Sequence, residues 1–501
     1  MVFDYKNAIQ PATKQFKLKN DLFVEQNIAQ IDYMNTEKSF PEFNREKLMP
    51  YGVTQEGAPI AIADVNNDGN DDLYFGGTKG YTSVLYLSSN DNSYLRITDA
   101  FENDKRYEDI DAIFTDVDRD GDLDLFVVSG GGEYHGKSKY NKDRVYINNG
   151  NGSFTLSQEV LPDYYHNGSV IVASDFDGDG DQDYFVGSRS ITKSFGKMPE
   201  SFFLMNDSGK LSIVDDHPLS KVGMVTDAIL YDFDNDNDED LLIVSEWSNM
   251  KIFQNDNGNF INQTDKLFSD KPRGLWQSLE LFDIDKDGIK EIVVGNVGLN
   301  TKFSASKSYP LKMYVHDFDS NGQTESIVAI AKNGDYYTID SKDKMQGQMP
   351  ELIRKKFNSY ADFAGKTIEE IFESSLLSNS DQYTVDELQS GYFKMIGGSY
   401  VFFPLNTEFQ WGPISKMKSL TINNSEHLII TGHKSDLPPY QGLWSSQKHF
   451  LLTSLNEYKV LHELGIDLIH KDVTALETIK IDGENKLIVG VANQNIRFYT
   501  Y

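Results

Sequence analysis

Cysteine, long apolar runs and excess positive charge are all missing from this sequence. Without a single Cys among 501 residues, the chain has no disulfide, thiolate metal site or cysteine nucleophile. No 18-residue apolar run occurs, so no bilayer-spanning segment is predicted. Acidic residues outnumber basic ones by 77 to 47, for a formal charge of −30. This balance argues against a nucleic-acid partner, because phosphate backbones require clustered Lys and Arg.

Known catalytic signatures are also missing. His462-Glu463 continues as Leu-Gly-Ile rather than as the HExxH motif of zinc proteases. The chain has no nucleophile elbow and no Walker loop. The glycine run at residues 130–136 is interpreted as an ordinary loop. We therefore assign no catalytic residue, although a carboxylate such as Glu246 could act in catalysis.

One acidic nine-residue motif recurs six times. It reads Asp-x-Asp/Asn-x-Asp/Asn-Gly-x-x-Asp/Glu, with Asn replacing Gly in the fourth copy, and apolar residues follow each copy. Successive copies start 52, 59, 57, 51 and 34 residues apart, which marks an internal repeat. The copies begin at Asp64, Asp116, Asp175, Asp232, Asp283 and Asp317.

The spacing of this motif suits a hard cation such as Ca²⁺, which takes about six to eight oxygen ligands. Side chains at positions 1, 3 and 5 of a tight loop converge on one point. Position 7 can add a backbone carbonyl, position 9 a carboxylate, and Gly at position 6 permits a sharp turn. The alternative is a solvated acidic turn without metal, which like-charge repulsion disfavours.

The sequence thus predicts up to six structural Ca²⁺ sites. Their candidate ligands, at positions 1, 3, 5, 7 and 9 of each loop, are Asp64, Asn66, Asp68, Asn70 and Asp72; Asp116, Asp118, Asp120, Asp122 and Asp124; Asp175, Asp177, Asp179, Asp181 and Asp183; Asp232, Asp234, Asp236, Asp238 and Asp240; Asp283, Asp285, Asp287, Ile289 and Glu291; and Asp317, Asp319, Asn321, Gln323 and Glu325.

These loops are not EF-hands. An EF-hand requires a bidentate Glu at position 12 and a helix on each side. Position 12 is apolar in all six copies, and the flanks, such as residues 61–63 and 73–75, are typical of strands. Each loop is therefore predicted to join two strands, and Asn-Gly turns such as Asn149-Gly150 to join two more. Four strands per unit of about 50 residues indicate a propeller blade.

The repeated motif resembles the FG-GAP/VCBS repeats of integrin-α-type β-propellers, in which hairpin loops hold Ca²⁺. Further segments resemble the propeller region of bacterial proteins of the cartilage-acidic-protein (ASPIC/UnbV-associated) type. The resemblance covers about residues 20–330, and the small ASPIC/UnbV domain of that family is not recognisable. The segments that carry it are residues 45–50, 223–228, 246–247 and 295–300.

The predicted fold is an all-β, seven-bladed propeller, or an eight-bladed one if the loop at Asp317 heads its own blade. We place this loop inside the fifth blade, because it follows the previous one too closely for a new sheet. Residues 1–50 form an N-terminal segment in which residues 21–26 supply a strand that closes the ring. Residues 51–345 form blades one to five, residues 346–390 a helical insertion, and residues 391–501 two degenerate blades.

Two segments have alternative interpretations. Apolar residues at helical spacing between Gln346 and Ser390 predict two short helices, which either cover an apolar edge of the ring or dock a partner. The aromatic loop Tyr440–Trp444 either packs in the core or stacks on a sugar or protein partner.

Two functions fit these features. The first is a non-catalytic calcium-binding module that binds a protein, peptide or glycan, including one within an outer-membrane complex. The second is a Ca²⁺-dependent polysaccharide lyase, which requires a cleft of Lys, Arg, Tyr or His beside the metal. Residues 1–6 lack the features of a secretion signal. Because structural Ca²⁺ sites fill outside the cytosol, we expect an extracellular or outer-membrane location and a leader absent from this sequence.

Overall fold

The protein is mostly β-structure, as a computed structural model shows for residues 21–89, 91, 93–446, 448–481 and 483–501. Residues 1–6, which lack the features of a secretion signal, and Asp482, within the two predicted degenerate blades, lie outside these residues. Seven four-stranded antiparallel sheets form a ring. The predicted all-β propeller is confirmed.

The first four sheets take their strands consecutively from the chain. Strands β1 (Val24–Gln26) and β2 (Met34–Asn35) and helix α1 (Glu42–Arg45) precede them. The sheets comprise β3 (Ile60–Ala63), β4 (Asp72–Phe75), β5 (Val84–Ser88) and β6 (Tyr94–Ile97); β7 (Asp109–Thr115), β8 (Asp124–Ser129), β9 (Arg144–Asn148) and β10 (Phe154–Leu156); β11 (Gly168–Ser174), β12 (Asp183–Ser188), β13 (Phe202–Asp207) and β14 (Lys210–Ile213); and β15 (Met224–Leu230), β16 (Leu241–Asn249), β17 (Lys251–Gln254) and β18 (Ile261–Asn262). Helix α2 (Thr264–Leu267) follows, and β19 (Arg273–Leu275) pairs with β16.

The fifth sheet is interrupted by an inserted sheet. After β20 (Ser278–Phe282) and β21 (Glu291–Gly295), the chain leaves the ring, and β26 (Gly391–Ile396) and β27 (Ser399–Pro404) later complete the fifth sheet. The insertion comprises β22 (Leu311–His316), β23 (Glu325–Lys332), β24 (Asp335–Thr338), α3 (Lys342–Gln348), α4 (Pro350–Lys356), α5 (Tyr360–Phe363), α6 (Ile368–Ile371), α7 (Ser374–Asn379) and β25 (Asp381–Val385).

The last two sheets use the remainder of the chain. The sixth sheet has the order β28-β29-β32-β33, and β30 pairs with β31 beside it. These strands and those that follow are β28 (Lys416–Ile422), β29 (Ser425–Thr431), β30 (His433–Lys434), β31 (Trp444–Ser445), β32 (Phe450–Ser454), β33 (Glu457–Val460), β34 (Val473–Ile481), β35 (Glu484–Val491), β36 (Gln494–Asn495) and β37 (Arg497–Thr500). Single 3₁₀ turns span Glu102–Asp104, Lys139–Asn141, Pro218–Lys221, Thr407–Gln410 and Leu461–Leu464.

The N-terminal strand closes the ring. The seventh sheet has the order β1-β37-β35-β34, so its outermost strand comes from the other end of the described chain. Val24 pairs with Thr500 and Gln26 with Phe498, and the preceding residue, Phe23, is buried beside Leu464 and Tyr501. The closing strand was expected at residues 21–26, and the structure places it at the end of that segment.

The inner strands surround a central channel. β3, β7, β11, β15, β20, β28 and β34 contact one another in a closed ring of seven. Four of them have a register shift near their start, at Ile110, Ser169, Thr226 and Thr474. These four residues line the channel, because a bulged residue has no partner across the sheet and its side chain turns away from the ladder.

Because of the inserted sheet, two segments lie elsewhere than the sequence predicted. The loop at Asp317 lies in a separate sheet with the order β24-β23-β22-β25, not in the fifth blade, because both edges of β22 are occupied by β23 and β25. Residues 391–404 complete the fifth sheet, so the degenerate part begins only at β28. The short spacing before Asp317 reflects this departure from the ring.

The helical segment covers the inserted sheet rather than the ring. It contains five short helices, α3–α7, instead of the expected two. Met345, Ile353 and Phe372 are each at most 1% exposed and pack with Tyr314 and Ile327 of the inserted sheet. At roughly 1.5–3 kcal/mol for each large apolar side chain removed from water, this contact buries the apolar stripe within the chain itself.

The other face of the inserted sheet packs over one end of the channel. Met313 and Val328 join a buried cluster with Tyr51, Trp247 and Trp444. Trp444 is 1% exposed, which supports core packing for this part of the aromatic loop at residues 440–444. The N-terminal segment and the insertion thus cover one face of the ring together.

Candidate metal centres

All six acidic motifs connect two antiparallel strands, as expected from their flanks. Five lie between the first two strands of a ring sheet, and the sixth joins β22 to β23. Position 6 has a positive φ in each loop, for example 93° at Gly121 and 94° at Gly180. Position 4 is left-handed as well, with φ of 61° at Arg119 and 64° at Lys286. The sequence did not indicate this second left-handed residue.

Positions 1, 3 and 9 converge in the second to sixth loops. In each of these loops, one carboxylate oxygen from each of the three side chains lies within 4.8 Å of the other two. The five groups are Asp116, Asp118 and Asp124; Asp175, Asp177 and Asp183; Asp232, Asp234 and Asp240; Asp283, Asp285 and Glu291; and Asp317, Asp319 and Glu325.

The first loop has Asn66 where the others have a carboxylate at position 3. The N–H group of Asp68 donates to Asp64 Oδ1 and to Asn66 Oδ1, each at 3.0 Å. The two oxygens therefore face the same point of the loop. Asp72, at position 9, lies at the start of β4 and is fully buried.

Position 5 stabilises the turn in each loop. Its side chain accepts a hydrogen bond from the N–H group of position 7, as in the 2.9 Å contacts of Asp120 with Asp122 and of Asp179 with Asp181. This is an Asx turn, which fixes the loop without metal. The corresponding acceptors in the other loops are Asp68, Asp236, Asp287 and Asn321, and the donors are Asn70, Asp238, Ile289 and Gln323.

Position 9 closes each loop. Asp124 Oδ2 accepts the N–H group of Val117 at 3.0 Å, and Oδ1 accepts that of Asn148 at 2.8 Å. The contact to position 2 recurs in all six loops. Burial raises the pKa of Asp124 to about 7 and that of Asp183 to about 6, against hydrogen bonds that lower it. The carboxylate is thus desolvated in a position that favours a nearby positive charge.

Several loop oxygens are buried without a hydrogen-bond donor. At positions 1 and 3 they are Asp116 Oδ1, Asp118 Oδ1, Asp175 Oδ1 and Asp319 Oδ1. A buried acceptor with no partner is costly, by about 1–3 kcal/mol, unless a cation or water satisfies it. Three converging carboxylates with unpaired oxygens are the donor set that a hard cation such as Ca²⁺ requires. The residues present therefore fit a bound cation.

The fifth loop already contains a positive group. Lys394 Nζ of β26 contacts Asp285, lies 2.6 Å from Asp287 Oδ2 and lies 3.0 Å from Glu291 Oε1. Among the described residues, no other loop of the six has a lysine that contacts three of its carboxylates. An ammonium group at this point balances the charge that a metal would balance elsewhere.

Neighbouring loops are tied together by side chains that the motif did not reveal. Asn206 Nδ2, at the end of β13, donates to the carbonyl of Val117 in the preceding loop at 2.9 Å. Asn148 and Asn255 make the same contact to Val65 and Phe176. The side-chain oxygen of each of these Asn residues also accepts a hydrogen bond from the N–H group of a Gly three or four residues later. An Asn followed by a Gly at this spacing is therefore the sequence signal that could have identified these contacts.

A cavity of about 180 Å³ lies in the channel, at the end that the inserted sheet covers and away from the acidic loops. Inner strands run from this cavity to the metal loops: in β11, Ser169 lines the cavity and Asp175 starts the third loop. Six residues of extended chain separate them by about 20 Å. Among the residues that the structure describes, those lining the cavity include none from the six loops.

Comparison with protein families agrees with the repeated loops. The FG-GAP-like repeat model matches residues 116–186 and 202–294, which contain the second to fifth loops. The chain is 49% identical over 49 residues to a uracil-DNA glycosylase of Christiangramia forsetii, a match that covers 10% of this chain and 21% of that protein.

Solved structures with a similar outline share little sequence with this chain. The structure of BBS1N in complex with ARL6DN has a TM-score of 0.41 and 8% identity, with 96% of this chain and 97% of that chain covered. Saccharomyces cerevisiae Sqt1 has a TM-score of 0.39 and 12% identity, with 93% and 99% covered. The sheet topology and the two matched segments together identify the chain as a β-propeller that contains FG-GAP-like repeats.

Proposed function

We propose that the protein is a calcium-stabilised, non-catalytic binding module that works outside the cytosol, at the cell surface or outer membrane. The observation that carries the calcium assignment is the repeated convergence of positions 1, 3 and 9, with buried oxygens that lack a donor. One such loop would be weak support, since exposed acidic groups are common. Five with the same geometry in one chain make an accidental arrangement a poor explanation.

In this proposal, the side chains at positions 1, 3 and 9 hold the ion in each loop. Asn66 supplies an amide oxygen at position 3 of the first loop, and Asn321 is an amide at position 5 of the sixth loop. When bound, Ca²⁺ neutralises the carboxylates and links the two strands of a hairpin. Lys394 competes with the ion in the fifth loop, so we expect this site to bind most weakly.

Calcium availability supports the proposed location. Extracellular modules bind Ca²⁺ with dissociation constants of about 10⁻⁴–10⁻³ M, which cytosolic calcium does not fill. Filling such a site at a hundredfold excess of ion stabilises the fold by about 2.7 kcal/mol. Among the described residues, no helix is both long enough and apolar enough to cross a lipid bilayer.

The distance between the loops and the cavity favours binding over polysaccharide cleavage. A calcium-dependent lyase needs basic or aromatic side chains beside the ion. Here Arg189, Lys416, His433 and Lys434 line the cavity, at the opposite ends of the inner strands from the loops. Lys394 of the fifth loop is paired with the loop carboxylates themselves. A cavity that continues into the channel suits recognition of a projecting group on a protein, peptide or glycan.

Calcium titration of the full chain tests the proposal. After EDTA treatment and dialysis, isothermal titration calorimetry should show several calcium sites, and the melting temperature should rise with added calcium. Magnesium is the control, because it demands a smaller octahedral site and should stabilise much less. An EDTA-treated protein that neither takes up calcium nor changes its melting temperature would overturn the proposal.

A further inference from the structure

The cavity at the covered end of the channel has its own charge network. Arg189 is 2% exposed and donates to Glu246 Oε2 at 2.7 Å and to Glu56 at 3.1 Å. Tyr51 and Gln277 complete the shell of Glu246, each at 2.7 Å. Buried charges require partners. In this network the charged groups at the base of the cavity are paired with one another and need no ligand.

Three polar atoms in the walls of the cavity, by contrast, have no hydrogen-bond partner. Asp472 Oδ1, Glu37 Oε1 and His433 Nδ1 are buried, line the cavity and have no hydrogen-bond partner. The side chain of His433 is only 4% exposed, and its Nε2 lies 3.6 Å from Asp472 Oδ1, beyond hydrogen-bond range. Two of the three unpaired atoms are carboxylate oxygens, which accept hydrogen bonds and favour positive charge.

Asp436 adds a further carboxylate to the same wall. Lys434 is the nearest basic residue along the chain, and its Nζ lies 5.7 Å from the centre of the Tyr51 ring. No ion pair joins Lys434 to Asp436 or to Asp472 among the described contacts. Ser435 donates to Asp472 Oδ2, so Asp472 Oδ1 and Glu37 Oε1 are the carboxylate oxygens of this wall that are buried without a donor.

The volume of the cavity limits the size of a ligand group that could supply hydrogen-bond donors to these oxygens. A cavity of about 180 Å³ is smaller than the 300–1,000 Å³ of pockets for drug-sized molecules, roughly. One side-chain-sized group with several N–H donors matches both the volume and the unpaired acceptors.

We propose that this cavity binds a guanidinium or alkylammonium group, with Asp472, Asp436 and Glu37 as its acceptors. Such a group carries positive charge and three to five N–H donors, roughly what the three carboxylates can accept. A basic side chain projecting from a partner and a free amine share this chemistry. This inference names the chemistry of the partner in the proposed function. It rests on the proposed binding role and does not depend on bound calcium.

The test is calorimetric titration of the full chain with blocked amino acids. N-acetyl-arginine amide and N-acetyl-lysine amide represent a peptide side chain, and agmatine represents a free amine. The neutral control is N-acetyl-glutamine amide. We expect saturable binding of at least one cationic probe, at least about tenfold tighter than the control, a difference of ~1.4 kcal/mol. Tighter binding of the blocked residues identifies a protein or peptide partner, and tighter binding of agmatine a small amine.

Variants locate the binding site. Asp472→Asn and Asp436→Asn should each weaken binding by at least about tenfold, whereas Asp335→Asn, at an exposed position on β24, should not. If the cavity variants fail to fold, the ring ¹⁵N shifts of His433 in the unmodified protein provide the second measurement. They should move on addition of the cationic probe and not of the glutamine derivative.

Three outcomes would overturn the inference: no saturable binding, equal binding of the neutral amide, or unchanged affinity in both folded cavity variants. Water alone would then satisfy the cavity. Repeating the titration in EDTA separates this inference from the calcium proposal. Amine binding without any calcium uptake would overturn only the calcium proposal, and calcium uptake without amine binding would overturn only this inference.

Discussion

The side-chain amide of Asn206 donates a hydrogen bond to the backbone carbonyl of Val117, 2.9 Å away in the preceding blade. Asn206 is 3% exposed, and its own oxygen accepts the N–H group of Gly209 at 3.0 Å. One side chain thus fixes the turn after β13 and holds the loop of the neighbouring sheet. The contact recurs at Asn148 and Asn255, so these loops are positioned by protein as well as by any metal.

Replacing Asn206 by Ala should therefore lower stability by about 1–3 kcal/mol, because a buried carbonyl and a partly buried N–H group lose their partners. Chemical denaturation measures this change. Asn103→Ala is the matched control, since Asn103 is exposed. Equal stability of the two variants would show that the amide does not link the blades.

Removing one loop carboxylate should have opposite effects with and without calcium. In Asp118→Asn, a ligand with a buried, unpaired Oδ1 is lost, so the variant should bind one calcium fewer and melt below the unmodified protein in millimolar calcium. In EDTA, where Asp116, Asp118 and Asp124 only repel one another, the variant should be equally or more stable. Melting curves in both buffers measure this reversal. A variant that is less stable by the same amount in both buffers would contradict metal binding in the second loop.

Lys394 should limit calcium binding in the fifth loop. Lys394→Met removes the ammonium group that contacts Asp285, Asp287 and Glu291, and the freed carboxylates should bind calcium more tightly. Calorimetry should then detect one additional site or one tighter site. Lys290→Met is the control, because Lys290 belongs to the same loop but contacts Glu426 at 2.8 Å. The same calcium isotherm for both variants would show that Lys394 does not compete with the ion.

Acid should destabilise the sixth sheet through His449. Burial lowers the pKa of His449 to about 4, from an ordinary value of 6.5. Gly432 donates to Nδ1 at 3.4 Å, and Nε2 lies 2.7 Å from the Leu468 carbonyl, so only the neutral ring fits both contacts. The unfolded chain takes up a proton first as the pH falls. This contribution is therefore present above pH 6.5 and is lost between about pH 6.5 and 4, by about 3 kcal/mol in all.

Comparison of His449→Gln with the unmodified protein isolates this effect. The difference in unfolding free energy between the two proteins should shrink as the pH falls from 6.5 to 4, because the variant has no ring to protonate. His462→Gln, at an exposed position, is the matched control. A constant difference across this range would exclude His449 as the source.

The sequence predicted those features that depend on local spacing. The strand-like runs on both sides of the six motifs identified the hairpins, and the short strand near residue 24 identified the closure of the ring, because each signal lies within a few residues. The narrower resemblance to the cartilage-acidic-protein type stays a prediction, as do the extracellular location and the bound calcium.

The inserted sheet and the cavity were not predictable in the same way. Strand β22 is followed by the same motif as the first strand of a ring sheet. Only the pairing of β21 with β26, for example of Val294 with Gly391, shows that β22 lies outside the ring. The cavity combines Glu37, Arg189 and Asp472, which are far apart in sequence and share no motif. Long-range pairing of this kind is decided by tertiary packing rather than by local propensity.

The closure of the ring also determines how it would respond to tension. Val24 and Thr500 are partners, so a pull on the chain before β1 and after β37 acts at the same end of one short antiparallel pair. Such a load breaks the ladder bonds one after another instead of all at once. The seventh sheet would open first under stretching, as a zipper does, while the six other sheets remain folded.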